Sequence, residues 1–324
     1  MKTILVTGGA GYVGSVLVPA LLDRGHRVRV LDLMLYGNTL TPHTRLSLMR
    51  GDIRKANALR QALGGVDTVI HLACISNDPS FELDPSLGRS VNHSATLGLI
   101  NLARKSGRVR RFIYASSSSV YGVKKEKNVT ESLSLEPLTD YSKYKALCEE
   151  YLFHNAGAMV PVIIRPATVC GYSPRMRLDL TINILAISAL VNRSMTVFGG
   201  KQKRPNIHIT DMCRAYLALL QAPEEKVAGK IFNAGYQNYT ILEIARIVKR
   251  VLADPRIAIT IKPTHDTRSY HISSVKIRRE LGFAPTHTIE DAIRDIKTAY
   301  DDGLLPSALT DKKYYNVRVM KNFV

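Results

Sequence analysis

The chain opens with a strand that runs straight into a glycine-rich turn and then a helix, and this junction limits the possible folds more than any other feature. Residues 2–7 (KTILVT) are a short, β-rich apolar run of the kind that forms a buried strand. The turn follows as Thr7-Gly8-Gly9-Ala10-Gly11-Tyr12-Val13-Gly14, and residues 11–24 carry Val13, Val16, Leu17, Ala20 and Leu21 at helical spacing until Gly25 ends the helix. Gly9, Gly11 and Gly14 satisfy GxGxxG; Gly8, Gly11 and Gly14 satisfy GxxGxxG. Glycines there allow a tight turn and close approach of backbone to a pyrophosphate, while the helix N-terminus offers free N–H groups and the positive end of its dipole.

The alternation continues. Strands are expected at 27–31, 46–49, 66–72, 109–116 and 160–166, with helices at 54–63, 86–106 and 138–156. Strand–helix–strand repeats of this kind make a doubly wound α/β fold, a parallel sheet covered on both faces that binds ligands at the carboxyl ends of its strands. Beyond residue 172 the alternation weakens into helices at 179–192, 210–221, 240–252 and 287–301, with short strands near 195–198, 230–233 and 257–262. We therefore expect a Rossmann-type domain over 1–172, with 207–225 packing back on it, and a smaller α+β substrate domain over 173–324. The tail, 303–324, reads as irregular. A length of 324 residues suits roughly two such units.

Charge is the unusual part of the composition: 45 Lys+Arg against 27 Asp+Glu gives +18. The basic clusters are short (Arg104-Lys105, Arg110-Arg111, Lys124-Lys125), and no helix interleaves basic with aromatic residues, which argues against a nucleic-acid partner. No apolar stretch approaches the ~18 residues of a membrane span, and the glycine loop follows too soon for a secretory leader. Cys74, Cys148, Cys170 and Cys213 lie far apart without CxxC or clustered histidines, which argues against a disulfide framework and against metal, and for the cytoplasm.

Asp32 follows the second strand, 18 positions after Gly14. A carboxylate there accepts hydrogen bonds from a ribose hydroxyl and repels a 2′-phosphate, so NAD is expected rather than NADP. Asp52 and Ile53, in Gly51-Asp52-Ile53-Arg54, end the third strand within reach of an adenine. Tyr141-Ser142-Lys143-Tyr144-Lys145 opens a helix with Tyr141 and Lys145 four apart on one face. A lysine beside a phenol favours the phenolate and is expected to lower the tyrosine pKa enough for it to act as a base. Upstream, Ser116-Ser117-Ser118-Ser119-Val120-Tyr121-Gly122 puts hydroxyls at the carboxyl end of a strand.

The glycine loop, His71-Leu72-Ala73, the SSSSVYG segment and YSKYK together resemble the extended short-chain dehydrogenase/reductase family, and within it the NAD-dependent sugar-nucleotide epimerases and dehydratases. The resemblance implies a catalytic triad of Ser117, Tyr141 and Lys145. It implies a cofactor set of Gly8, Gly11, Tyr12, Val13, Gly14, Asp32, Asp52, Ile53, Leu72, Ala73, Asn92, Ser116 and Pro166, with Tyr141 and Lys145 serving both roles. Arg165-Pro166-Ala167-Thr168-Val169-Cys170-Gly171 resembles the family's RPxxVYG turn, with Cys170 in place of the aromatic. Arg204, and Arg268 within Asp266-Thr267-Arg268-Ser269-Tyr270, resemble arginines that grip the diphosphate of a nucleoside diphosphate sugar; Ser118 and Ser119 would face the sugar.

Family chemistry begins by oxidising the sugar 4-hydroxyl. Dehydratases of the family carry Asp-Glu directly after the Ser/Thr, and 3,5-epimerases carry a cysteine where this chain has Ser119. The expected activity is therefore 4-epimerisation, with a 4-dehydrogenase/reductase or a 4,6-dehydratase as alternatives, the latter if Glu126, Glu131, Glu136 or Asp140 enters the site; a non-catalytic dinucleotide-binding role is a further one. A homodimer through the 86–106 and 138–156 helices is also expected, with Leu97, Ile100 and Leu147 as a candidate apolar stripe.

Overall fold

The computed structural model describes residues 1–264 and 268–323. Its elements, in chain order, are β1 (Thr3–Thr7), α1 (Gly14–Asp23), β2 (Arg27–Asp32), β3 (Leu46–Arg50), α2 (Ala56–Leu63), β4 (Thr68–His71), α3 (Asp78–Phe81), α4 (Pro85–Arg89), α5 (Ala95–Lys105), β5 (Arg111–Ala115), α6 (Asp140–Asn155), β6 (Val160–Pro166) and β7 (Thr168–Cys170). They continue as α7 (Thr181–Asn192), β8 (Ser194–Phe198), β9 (Lys203–His208), α8 (Ile209–Gln221), α9 (Glu224–Val227), β10 (Lys230–Ala234), β11 (Gln237–Thr240), α10 (Ile241–Leu252), β12 (Ala258–Lys262), α11 (Val275–Leu281), α12 (Ile289–Asp301) and α13 (Asn316–Met320).

A seven-stranded parallel sheet in the order β10-β6-β5-β4-β1-β2-β3 forms the Rossmann-type centre. Its central strands are apolar on both faces: Ile4, Leu5 and Val6 of β1 and Val69 and Ile70 of β4 are all fully buried, because helices cover the sheet on each side. The strand order reverses between β1 and β4, and a crevice opens there at the carboxyl ends. β11, β9 and β7 form a second sheet; β12 and β8 pair as a third. Helices α7, α10 and α12 pack together over a separate apolar core that includes Ile187, Ile244 and Ile293.

The structure revises or refines the expected layout at three places. Strand β10, expected within the smaller unit, is the edge strand of the large sheet, paired in register with β6 from Lys230↔Val162 to Ala234↔Pro166; α8 lies against α1. The long helix expected over 86–106 forms as helical backbone running from Pro85 to Lys105, with a π-helical turn over Ser90–Ser94 joining α4 to α5. The tail is ordered, with a 3₁₀ turn over Lys312–Tyr314, helix α13, and Tyr314, Tyr315, Asn316 and Met320 buried.

Candidate active site

One elongated cavity runs along the crevice, and the glycine turn forms the floor of one end. Gly8 has φ +72°, and a Cβ on it would lie 2.6 Å from the Ala73 nitrogen; Gly14 is equally closed, by the Gly9 carbonyl. Gly8, Gly11, Tyr12, Val13 and Gly14 all line the cavity, as do Asp52, Ile53, Leu72, Ala73, Ser116 and Pro166. Asp32 stands at the end of β2, held by the Ala10 and Met34 N–H groups at 3.0 and 2.7 Å; burial raises its pKa while those two bonds oppose the rise. Asn92 is elsewhere. It is buried off the cavity wall in the π turn, where its amide donates to the Ile75 carbonyl at 2.9 Å and accepts from the Ile75 N–H at 2.8 Å, pinning the loop that follows β4.

Arg175 adds a feature that no motif signalled, although its PRMR segment is visibly basic. It is 4% exposed, stacks on the Tyr36 ring at 3.8 Å, and lines the cavity. Its Nη2 donates to Asn316 at 2.7 Å, its backbone N–H to Ser15 Oγ beside the start of α1 at 3.4 Å, and its Nε and Nη1 have no hydrogen-bond partner among the described residues. Burial, with Arg177 nearby, lowers its pKa to about 10. A buried guanidinium with unpaired donors on a cavity wall is suited to receive an anion. Together with the glycine floor and the Asp32 carboxylate, it fits a dinucleotide diphosphate and ribose.

The other end carries the serine hydroxyls, phenol and ammonium expected from sequence to react. The Thr139 side chain caps α6 reciprocally with Ser142, which sets the helix so that Tyr141 and Lys145 face the crevice. Ser117, at the end of the β5 segment, bonds Ser119 Oγ at 2.8 Å and caps the short 3₁₀ turn over Ser118–Tyr121. Ser117, Ser118, Ser119, Tyr141 and Lys145 all line the cavity. The expected lowering of the tyrosine pKa is not found: burial raises it well above the ordinary value, Cys74 and Asp78 add to the rise, and Arg177 and a hydrogen bond with Ser117 oppose it. Lys145 Nζ lies 5.9 Å from the Tyr141 ring centre and donates to the Ala115 carbonyl at 2.6 Å.

Arg204 and Arg268 line the same end; Arg204 Nη1 donates to the Arg268 carbonyl at 2.6 Å, so the two strands of the chain meet there. Asp266 and Thr267, the neighbours of Arg268 in its motif, lie outside the described residues. Sequence reading missed two carboxylates here. Asp78 accepts from Arg268 at 2.6 Å and from the Thr139 hydroxyl at 2.7 Å; Asp179 pairs with Arg177 at 3.0 Å. The four carboxylates considered from sequence are off the cavity wall: Glu131 accepts from the Asn233 N–H at 2.7 Å, Glu136 pairs with Lys124, Asp140 with Lys143, and Glu126 is also outside.

Two conspicuous motif residues are structural. Arg165 makes a buried bidentate pair with Glu149 (3.0 and 2.5 Å) and donates to the Tyr121 hydroxyl at 2.8 Å, which in turn donates to Asn233 at 2.8 Å. This chain of bonds ties β6 to α6 and to β10. Among the described residues, no helix is long and apolar enough to cross a membrane, and no three His, Cys, Asp or Glu side chains cluster as a metal site.

A family model described as the NAD dependent epimerase/dehydratase family matches residues 4–235. UDP-glucuronic acid decarboxylase 1 of Arabidopsis thaliana is 31% identical, over 90% of this chain and 68% of its own length. UDP-glucose 4-epimerase of Corynebacterium glutamicum is 27% identical, over 96% of this chain and 98% of its own. Among solved structures, a dTDP-glucose 4,6-dehydratase from Streptomyces venezuelae with NAD bound superposes with a TM-score of 0.83 at 27% identity, covering 93% of this chain and 97% of that one.

Proposed function

Since the chain belongs to the NAD-dependent epimerase/dehydratase family and is an NAD-dependent enzyme of the extended short-chain dehydrogenase/reductase type, we propose that it is a sugar-nucleotide 4-epimerase. NAD, when bound, supplies a reversible hydride acceptor for the sugar C4 position. Tyr141 takes the proton of the 4-hydroxyl and returns it, and the Ser117 hydroxyl holds the same oxygen. Lys145 sets the positive charge of that corner. Arg204 and Arg268 receive the substrate diphosphate.

One observation carries the choice of reaction: the reactive corner has hydroxyls where elimination needs an acid and a base. Positions 118 and 119 are serines, and the cavity-lining carboxylates Asp78 and Asp179 are each held by an arginine. A hydroxyl is a poor general acid or base near neutral pH, so loss of water has no proton carrier, and return of hydride to either face of C4 is the outlet left. The second reading, a 4,6-dehydratase or 4-dehydrogenase, draws on the relatives and on Asp78, should substrate draw Arg268 away from it.

We further propose a homodimer across α5 and α6. Ile100 is fully buried in the protein's own core, so the contact stripe reduces to Leu97 and Leu147, the latter 46% exposed. All four cysteines are free thiols, which supports placement in a reducing cytoplasm.

Incubation with NAD and a panel of UDP-, GDP-, CDP- and dTDP-sugars, read by chromatography and mass spectrometry, tests the activity. Unchanged mass at a new retention time, without deuterium uptake from heavy water, is expected for 4-epimerisation. Loss of one water overturns it in favour of dehydration, and loss of two hydrogens in favour of a dehydrogenase.

A further inference from the structure

The C-terminal segment does more than complete the fold. Asn316, Met320 and Phe323 line the cavity more than 130 positions beyond the loop that carries Arg175. Asn316 is 3% exposed, and its side-chain amide and backbone N–H join other parts of the cavity wall. Its amide oxygen accepts from Arg175 Nη2 at 2.7 Å, its amide nitrogen donates to Ser76 Oγ at 2.9 Å, and its backbone N–H donates to Asp179 at 3.0 Å. Two further contacts dock the segment: the Leu178 N–H donates to the Tyr314 carbonyl at 2.9 Å, and Met320 packs in a small apolar cluster with Ile75 and Phe81.

We propose that residues 314–320 form a strap that retains the dinucleotide, with Asn316 as the positioning residue that aims Arg175. The guanidinium is rigid and planar, so holding Nη2 on Asn316 and stacking the plane on Tyr36 fixes the orientation of Nε and Nη1, which are buried on a residue of the cavity wall. An arginine aimed in advance loses less freedom on binding an anion, and that difference appears as affinity. The ligand group it serves is a diphosphate. The Arg175 guanidinium stacks on Tyr36, four positions beyond Asp32, and its backbone N–H meets Ser15 of α1, which assigns it to the cofactor rather than to the sugar nucleotide. The inference holds whichever reaction follows at the sugar, because it concerns only the dinucleotide half.

Calorimetric titration of nucleotide-free wild type and Asn316→Ala with NAD, adenosine and UDP tests it. Loss of the aiming bond is expected to weaken NAD about tenfold, the scale of one charge-assisted hydrogen bond, with adenosine and UDP unchanged. Unchanged NAD affinity overturns the proposal. So does equal weakening of all three ligands, which would mark Asn316 as merely structural, or weakening of UDP alone, which would move Arg175 to the substrate. Hydrogen exchange on the unaltered protein decides the matter if the variant does not fold. Saturating NAD, but not adenosine, should slow exchange of the 316–320 amides; exchange indifferent to NAD overturns the strap.

Discussion

Tyr141 sits where burial opposes the ionisation that its proposed role as a base requires. The phenol is raised well above its ordinary pKa by desolvation, with Cys74 and Asp78 adding to the effect, and Arg177 and Ser117 offset only part of it. The base form is therefore a minority near neutral pH, and its fraction grows as pH rises toward the raised value. Turnover should accordingly climb with pH through the neutral-to-alkaline range, and Tyr141→Phe should lower turnover by roughly a hundred- to ten-thousand-fold and erase that climb. NAD affinity, measured by titration, should stay close to wild type in the same variant, because the glycine floor, Asp32 and Arg175 are untouched. A variant that retained activity would remove Tyr141 from the chemistry. The residue was legible from sequence because a Tyr and a Lys four apart on one helix is a local pattern. Its electrostatics were not, because Cys74, Asp78 and Arg177 come from two distant loops.

Elements hold these residues in place through contacts that motif reading assigns to function. The Arg165–Glu149 pair joins β6 to α6, the helix that carries Tyr141, and lies 2–4% exposed at its side chains. Removing one partner leaves a buried, uncompensated charge. Glu149→Ala should therefore cost about 3–5 kcal/mol of stability, seen as a lower urea midpoint. The folded fraction should still bind NAD, since neither residue lines the cavity. A midpoint within a few tenths of a molar of wild type would show that the pair is dispensable. The π turn between α4 and α5 has a related role. The π turn presents the Asn92 side chain to both backbone groups of Ile75, and its carbonyl accepts from Thr96 Oγ1 at 2.9 Å, so helical periodicity alone read through it as one long helix.

At the scale of the whole molecule, α5 and α6 leave Leu147 exposed on a surface whose other apolar residues mostly face inward. If that surface pairs with a second copy, wild type should sediment as a dimer at micromolar concentration and Leu147→Glu as a monomer, with its melting temperature otherwise near that of wild type. A wild-type monomer would remove the interface.

Local chemistry settled much of this protein in advance. Gly8 and Gly14 must be glycine because backbone would occupy the space of a Cβ, and that requirement, with the strand before and the helix after, is written within fourteen residues. The buried alternation of the sheet and the helix-spaced Tyr141–Lys145 pair are short-range patterns of the same kind. The assignment of β10 to the large sheet, the Asp78–Arg268 pair and the Asn316–Arg175 bond are of another kind. Arg175 and Asn316 are 141 positions apart, and Asp78 and Arg268 are 190 apart. Pairings over such separations leave no period or spacing in the chain, because they come into being only when packing has brought the elements that carry them to one crevice.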